Sequence, residues 1–220
     1  MIFKFSEHIN RVKIVMKDKK MAQQFIIYDT EYASWKGFID LPLDDEKRKR
    51  AEIVQIAALK INLDDLSIAD EFNCYIKPHF EPKLTEYFTN LTGLTDELLD
   101  REGTDFMTAY GRFLHFVQKL PCYSHAWGQK QADELVIRNN LDMWQMKNLP
   151  EPDFRNIAWW FDEKYKQLNM NIAKQSSGQI GKILGLDKEI AHLNLDEHNA
   201  LYDVYSILLG LRKLGFAQLF

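Results

Sequence analysis

The run Phe25-Ile26-Ile27-Tyr28, followed directly by Asp29-Thr30-Glu31, decides the fold expected of this sequence. The four apolar residues predict a buried strand, with the acidic residues at its end. Residues two apart in a strand point to the same face, so Asp29 and Glu31 direct two carboxylates to one place. Such carboxylates repel each other unless a cation lies between them, and hard divalent cations prefer oxygen ligands. A solvated strand end is the simpler interpretation of this pair taken alone.

Strand patterns recur on either side of a helical region. Three strands in a row with short polar links predict an antiparallel meander, and the polar stretch 44–50 reads as a loop. The predicted strands are Phe25–Tyr28, Ile53–Ile61, Phe72–Ile76, Cys122–Trp127 and Asn156–Phe161, with Gly37–Leu41 as a further candidate. Trp159 and Trp160 are adjacent, so at most one of them can point inward from a strand.

Helical periodicity appears in three other segments. Phe106, Tyr110, Phe113, Val117 and Leu120 form one apolar stripe between an N-cap at Thr104 and a stop at Pro121. Helices are also predicted over Asp133–Leu141 and His198–Leu214, the second with a core-facing stripe. Strands followed by alternating helices and strands predict an α/β fold, a mixed sheet with helices on both faces.

Length and composition favour one intracellular domain. The 220 residues suit a single large domain, at about 100–200 residues per domain. We therefore expect an N-terminal extension at residues 1–24 and one domain over 25–220. A net charge of −4 gives no general attraction to polyanions, so contacts with nucleic acid would need a local basic patch. Two cysteines without metal-ligand spacing, no signal peptide and no membrane-spanning run predict a soluble, cytoplasmic protein.

Two further acidic positions follow strand or helix patterns. Asp203 lies five residues after His198, and none of the other five histidines has Asp at that offset. On a helix, Asp203 lies beside the apolar stripe, where a half-desolvated carboxylate needs a partner. His198 lies near the helix entry, within reach of a site as a base should be. Taken singly, the simpler interpretations are local pairing of His198 with Glu197 or Asp203, and stabilisation of Asp133 by the dipole of the helix that it starts.

Taken in order, Asp29-x-Glu31, Asp133 and His198-x4-Asp203 resemble the motif series of the DEDDh 3′-5′ exonucleases, DnaQ-like proteins of the ribonuclease H-like superfamily. Two other segments are similar to family sequences, namely Asn90–Thr95 to its Leu-Thr-Gly-Ile-Thr motif and Glu52–Ala58 to its second strand. The segments Tyr123–Gly128 and Tyr32–Trp35 resemble the branch that trims RNA 3′ ends, including the 3′ histone-mRNA exonucleases. The sister DEDDy group has Tyr four residues before the last Asp, where this chain has Asn199.

The resemblance implies a five-stranded sheet, three antiparallel strands and then two parallel ones, and a two-metal hydrolase that releases 5′-mononucleotides. Asp29, Glu31, Asp133 and Asp203 would hold two Mg²⁺ or Mn²⁺ ions, and His198 would be the general base. The gap between Gly128 and Asp133 is longer than in related sequences, so Glu134 is an alternative second-motif acid.

The implied substrate is the 3′ end of single-stranded nucleic acid, with RNA favoured over DNA. Thr30, Tyr32 and Trp35 are the candidate substrate contacts; the ring of Trp35 is the candidate for stacking on the terminal bases, because an aromatic ring stacks on any base. Two alternatives stay open: a DNA exonuclease of the proofreading or cleanup type, and a catalytically silent module that binds nucleic acid or a protein partner. A homodimer is also left open, and no membrane partner is expected.

Overall fold

The computed structural model describes residues 24–81, 83–126, 132–170, 172 and 175–216. Five strands form one sheet in the order β3-β2-β1-β4-β5. The strands are β1 (Gln24–Tyr32), β2 (Ile53–Asn62), β3 (Ile68–Tyr75), β4 (Pro121–Ser124) and β5 (Asp153–Asn156). The first three pair antiparallel, while β4 pairs parallel with both β1 and β5. The predicted mixed sheet is confirmed.

Eight α-helices and three short 3₁₀ turns are present in the described part of the chain. The α-helices are α1 (Glu46–Lys49), α2 (Glu86–Thr92), α3 (Asp96–Glu102), α4 (Phe106–Val117), α5 (Ala132–Met143), α6 (Ala158–Gln167), α7 (Gln179–Ile183) and α8 (Ala200–Lys213). The 3₁₀ turns are Phe38–Asp40, Asp187–Glu189 and Ala191–Leu193. None of the described helices is long and apolar enough to cross a bilayer.

Alternation along β1 divides the core into two halves, one on each face of the sheet. Phe25 and Ile27 pack with α6, α7 and α8, whereas Ile26 and Tyr28 pack with α4 and α5. Burial of side chains on both faces explains why Phe25–Tyr28 is an unbroken apolar run rather than an alternating one. The same alternation sends Asp29 towards the α8 face, and Thr30 towards α5.

Helix α8 packs directly across β1 and β2 and is buried almost all round. The predicted stripe of Leu201, Val204, Leu208 and Leu211 is buried. The helix starts at Ala200 rather than at His198, because the Asn199 side chain accepts the N–H of Leu201 as an N-cap. His198 therefore lies just outside the helix.

Two predicted strands are wrong. Gly37–Leu41 is a 3₁₀ turn entered through Gly37 at φ 88°, a left-handed conformation that breaks an extended strand. Asn156–Phe161 is the end of β5 followed by α6: Asn156 Oδ1 accepts the N–H of Ala158 at 2.9 Å in the turn that leads from the strand into the helix. Trp160 is buried and Trp159 is exposed, but this alternation arises on a helix.

Smaller differences concern element ends. The stretch 44–50, expected to be a loop, contains the one-turn helix α1 capped by Asp45. The N-cap of α4 is Asp105 rather than Thr104, and β4 ends at Ser124. Residues 1–23 of the proposed extension lie outside the described residues, and so do residues 127–131, which include the end of the segment Tyr123–Gly128.

Candidate active site

Three acidic side chains meet where β1 ends beneath α8. One carboxylate oxygen from each of Asp29, Glu31 and Asp203 lies within 4.8 Å of the other two. Asp29 and Asp203 are buried, and Glu31 is half-buried. Strand β1 brings the first two together through its two-residue repeat, and the first turn of α8 contributes the third. In the part of the chain that the structure describes, this is the one acidic, His or Cys cluster of this kind.

Asp133, at the start of α5, lies beside this cluster. Its Oδ1 accepts the hydroxyl of Thr30 at 2.8 Å and the backbone N–H of Thr30 at 3.3 Å. Its charge raises the pKa of both Asp29 and Glu31. Glu134 instead forms an ion pair with Arg138 at 2.6 Å. Of the two acids left open by the sequence, Asp133 is therefore the one directed to the cluster.

Ionisation of all four carboxylates is electrostatically unfavourable when no cation is bound. Burial is the main cause of a raised pKa in each of them, followed in Asp29 and Glu31 by repulsion from the neighbouring carboxylates. In Asp203, burial raises the pKa to about 7, against the lowering effect of the Ser177 hydroxyl. No Lys or Arg forms an ion pair with any of the four among the described residues.

These residues fit a divalent cation. A buried group of carboxylates without a cationic side chain is stable only when protonated or when a cation neutralises it. The donors are oxygens, with no thiolate or imidazole in the cluster, so hard ions such as Mg²⁺ and Mn²⁺ suit the site better than Zn²⁺.

His198 is held at the entry of α8 next to Asp203. Its backbone is left-handed, with φ 66°, and its N–H donates to Asp203 Oδ1 at 3.3 Å. The side chain is half-buried, and burial lowers the pKa of its imidazole. The ring is therefore neutral near pH 7 and has a nitrogen free to accept a proton.

A buried amide network fixes the start of α8, and sequence reasoning missed it. Gln55 on β2 donates to Asn199 Oδ1 at 3.2 Å and accepts the N–H of Ala200 at 3.1 Å. Gln55 lies opposite Glu31 in the register of β1 and β2. The sequence does contain one indication of this network. Gln55 interrupts the apolar run Ile53–Ile61, and a buried amide needs a hydrogen-bond partner.

The predicted substrate contacts lie close to the end of β1. The Thr30 hydroxyl is buried and engaged with Asp133, so it positions that acid in the structure as it stands. Tyr32 and Trp35 are half-buried, and both rings pack against Phe38, at 5.5 and 5.1 Å between centroids.

Sequence comparison matches residues 26–209 to the family model of the RNase T exonucleases. Among curated relatives, ERI1 exoribonuclease 2 of Xenopus laevis is 29% identical over 104 residues, which cover 47% of this chain and 14% of the relative. The 3′-5′ exonuclease eri1 of Schizosaccharomyces pombe is 36% identical over 124 residues, covering 56% of this chain and 38% of that protein. The chain thus spans well under half the length of these relatives.

Solved structures share the fold. The nuclease domain of 3′hExo, a DEDDh family member bound to rAMP, superposes with a TM-score of 0.62 at 17% identity, covering 89% of this chain and 93% of that one. Escherichia coli Exonuclease I in complex with a dA16 oligonucleotide gives a TM-score of 0.60 at 15% identity, over 90% of this chain and 42% of that one. The predicted resemblance and fold class are both confirmed. With its family match extending over most of the sequence, this chain belongs to the RNase T exonuclease family.

Proposed function

We propose that this protein is a metal-dependent 3′-5′ exonuclease that removes 5′-mononucleotides from the 3′ end of single-stranded RNA. The observation that carries the proposal is the convergence of Asp29, Glu31 and Asp203 within 4.8 Å, with Asp133 beside them and His198 at the entry of α8. Without a cation, such a cluster of carboxylates destabilises the folded protein. Its presence therefore indicates a function that uses the negative charge.

The chemistry is hydrolysis of the terminal phosphodiester. Water attacks the phosphorus, the bond to the 3′ oxygen of the preceding nucleotide breaks, that oxygen takes a proton from solvent to become the new 3′-hydroxyl, and a nucleoside 5′-monophosphate leaves. Asp29, Glu31, Asp133 and Asp203 would hold two Mg²⁺ or Mn²⁺ ions, and these would make a bound water more acidic and stabilise the charge of the transition state. A neutral ring nitrogen of His198 takes the proton of the attacking water.

RNA is the preferred substrate in this proposal. The supporting evidence is the similarity to ERI1 exoribonuclease 2 and to a 3′hExo domain that binds rAMP. Tyr32 and Trp35, whose rings pack on Phe38 near the end of β1, are the proposed stacking contacts for terminal bases.

The free, buried thiols of Cys74 and Cys122 suit a reducing cytoplasmic setting.

The test uses single-stranded RNA and DNA labelled at the 5′ end, incubated with Mn²⁺ and with a chelator. Shortening by single nucleotides from the 3′ end with release of 5′-monophosphates is expected, and a 3′-phosphate should block it. The matched variants are Asp29→Asn, expected to be inactive, and Asp162→Asn on an exposed position of α6, expected to be fully active. Full activity of Asp29→Asn would contradict the proposed catalytic role.

A DNA exonuclease is the second candidate, supported by the fold shared with Exonuclease I in complex with an oligodeoxynucleotide. Equal or faster shortening of DNA in the same assay would favour it. If the protein binds the RNA or the DNA without metal and shortens neither, it is the catalytically silent binding module instead.

A further inference from the structure

We propose that Ser177 is a positioning residue whose hydroxyl holds Asp29 and Asp203 as a pair that faces one cation. The proposal rests on the metal site proposed above and adds a residue to it. Ser177 comes just before α7, in a segment that no motif of the sequence singled out.

The hydroxyl lies between two carboxylates that come from different elements. Ser177 Oγ is 2.8 Å from Asp203 Oδ2 and 3.3 Å from Asp29 Oδ1, and the residue is buried, with 7% of its surface exposed. A serine hydroxyl has one proton, so it donates to one carboxylate at a time or divides the proton between them. In either case, a neutral donor lies where the charges of β1 and α8 meet.

Both oxygens of Asp203 are held from outside the cluster. Oδ2 accepts the Ser177 hydroxyl, and Oδ1 accepts the backbone N–H of His198. Each carboxylate oxygen accepts more than one bond, so these two donors fix the carboxylate while leaving acceptor sites free. Hydrogen bonds of this kind orient ligands in metal sites, and losing one weakens metal affinity by about 10–100-fold.

The segment around Ser177 is built to approach α8 closely. Ser206 Oγ donates to the Ser177 carbonyl at 2.8 Å and accepts the N–H of Gly181 at 2.8 Å. A Cβ atom at Gly178 would overlap Asp203 Oδ1 and lie 2.7 Å from the Cβ of Glu197. Gly178 has an ordinary negative φ of −66°, so glycine is required here for space and not for backbone conformation. The backbone is thus anchored where the Ser177 hydroxyl reaches both acids.

The neighbouring serine provides a matched control. Ser176 Oγ is also buried, but it has no hydrogen-bond partner among the described residues. A hydroxyl that only fills space at Ser177 would make Ser176→Ala and Ser177→Ala equivalent for metal binding. A positioning role separates the two variants.

The experiment is calorimetric titration of the metal-free protein with Mn²⁺. We expect the dissociation constant of Ser177→Ala to rise about tenfold, and that of Ser176→Ala to stay within about twofold of the wild type. Ser177→Cys is measured as well, because a thiol fills the space of the hydroxyl with a slightly larger group and donates only a weak hydrogen bond. It should stay folded and bind Mn²⁺ more weakly than the wild type.

The outcomes separate this inference from the proposed function. If the wild type does not bind Mn²⁺, the proposed metal site itself fails. If the wild type binds and degrades RNA but Ser177→Ala and Ser177→Cys bind equally well, only the role of Ser177 is wrong. An equal loss of affinity in Ser176→Ala and Ser177→Ala would also overturn it, since general loosening of the segment would then be the cause.

Discussion

Replacing Asp203 by Asn should make the metal-free protein more stable. The carboxylate of Asp203 is buried beside Asp29 and Glu31, and its pKa rises from 3.8 to about 7. A group whose pKa is higher in the folded state stabilises the fold below its unfolded pKa and loses this contribution as the pH rises through the folded pKa. At pH 8 the ionised Asp203 therefore opposes folding, and Asn removes the charge.

The structure sets the size of this effect. A pKa displaced from 3.8 to about 7 corresponds to ~4 kcal/mol at pH values above 7. The asparagine oxygen can still accept the His198 N–H, but its NH₂ group then replaces the oxygen that accepts the Ser177 hydroxyl, so that hydrogen bond is lost or reversed. We expect a net gain of about 1–2 kcal/mol after this cost, or a Tm about 3–6 °C higher for a chain of this size.

Thermal unfolding with a chelator at pH 8 and pH 5 provides the assay. The gain should be present at pH 8 and shrink towards pH 5, because Asp203 is then protonated in the folded wild type. With Mn²⁺ at 100 times its dissociation constant, the wild type should gain ~2.7 kcal/mol, while Asp203→Asn gains much less. Asp162→Asn, an exposed position on α6, is the matched control and should change neither quantity. A less stable Asp203→Asn at pH 8, or an undiminished response to Mn²⁺, would refute the electrostatic argument.

Three substitutions and one pH titration test neighbouring parts of the site. His198→Ala should lower kcat by about 10²–10⁴-fold in RNA hydrolysis and leave the Mn²⁺ dissociation constant unchanged in calorimetry, since the residue moves a proton and holds no ion; weaker Mn²⁺ binding would make it a ligand. Thr30→Val removes the 2.8 Å bond to Asp133 while keeping the side-chain shape, and should cost ~1–2 kcal/mol in urea unfolding and lower kcat about tenfold; unchanged kcat would mean that Asp133 is positioned without it. Mn²⁺ affinity measured between pH 5.5 and 8 should rise with pH through about 7, because protons compete with the cation for carboxyl groups whose pKa is raised, Asp203 among them; a pH-independent affinity would contradict this competition. Gln55→Met, assayed well below the Tm of the variant, should lower kcat by a larger factor than it changes KM, because the start of α8 loses two hydrogen bonds. A lower Tm with wild-type kinetics would make the role of Gln55 structural only.

Periodicity predicted the parts of the fold with one dominant pattern. The apolar runs of β1 and β2 and the stripe of α8 each bury a continuous surface, so their residue types determine their structure. Asn156–Phe161 was misassigned because a short apolar run suits a strand and a helix equally well. The hydrogen bond that the Ala158 N–H donates to Asn156 Oδ1 marks the turn from β5 into α6, and periodicity carries no information about this local contact.

The site was predictable only as far as its motifs reach. The acids of β1 and α8 lie next to apolar residues of their own elements, and only their resemblance to family motifs predicts that they share one site. The choice between Asp133 and Glu134 depends on a contact with Thr30, which lies 103 residues away in sequence. Ser177 contacts Asp29 across 148 residues and belongs to no motif, so packing alone identifies it.

Anomalous diffraction from crystals soaked in Mn²⁺ tests the central claim most directly. We predict two manganese peaks at the end of β1, with carboxylate oxygens of Asp29, Glu31 and Asp203 as ligands and Asp133 contributing directly or through water. Manganese bound elsewhere on a well-ordered protein, with these carboxylates free of metal at saturating Mn²⁺, would contradict it.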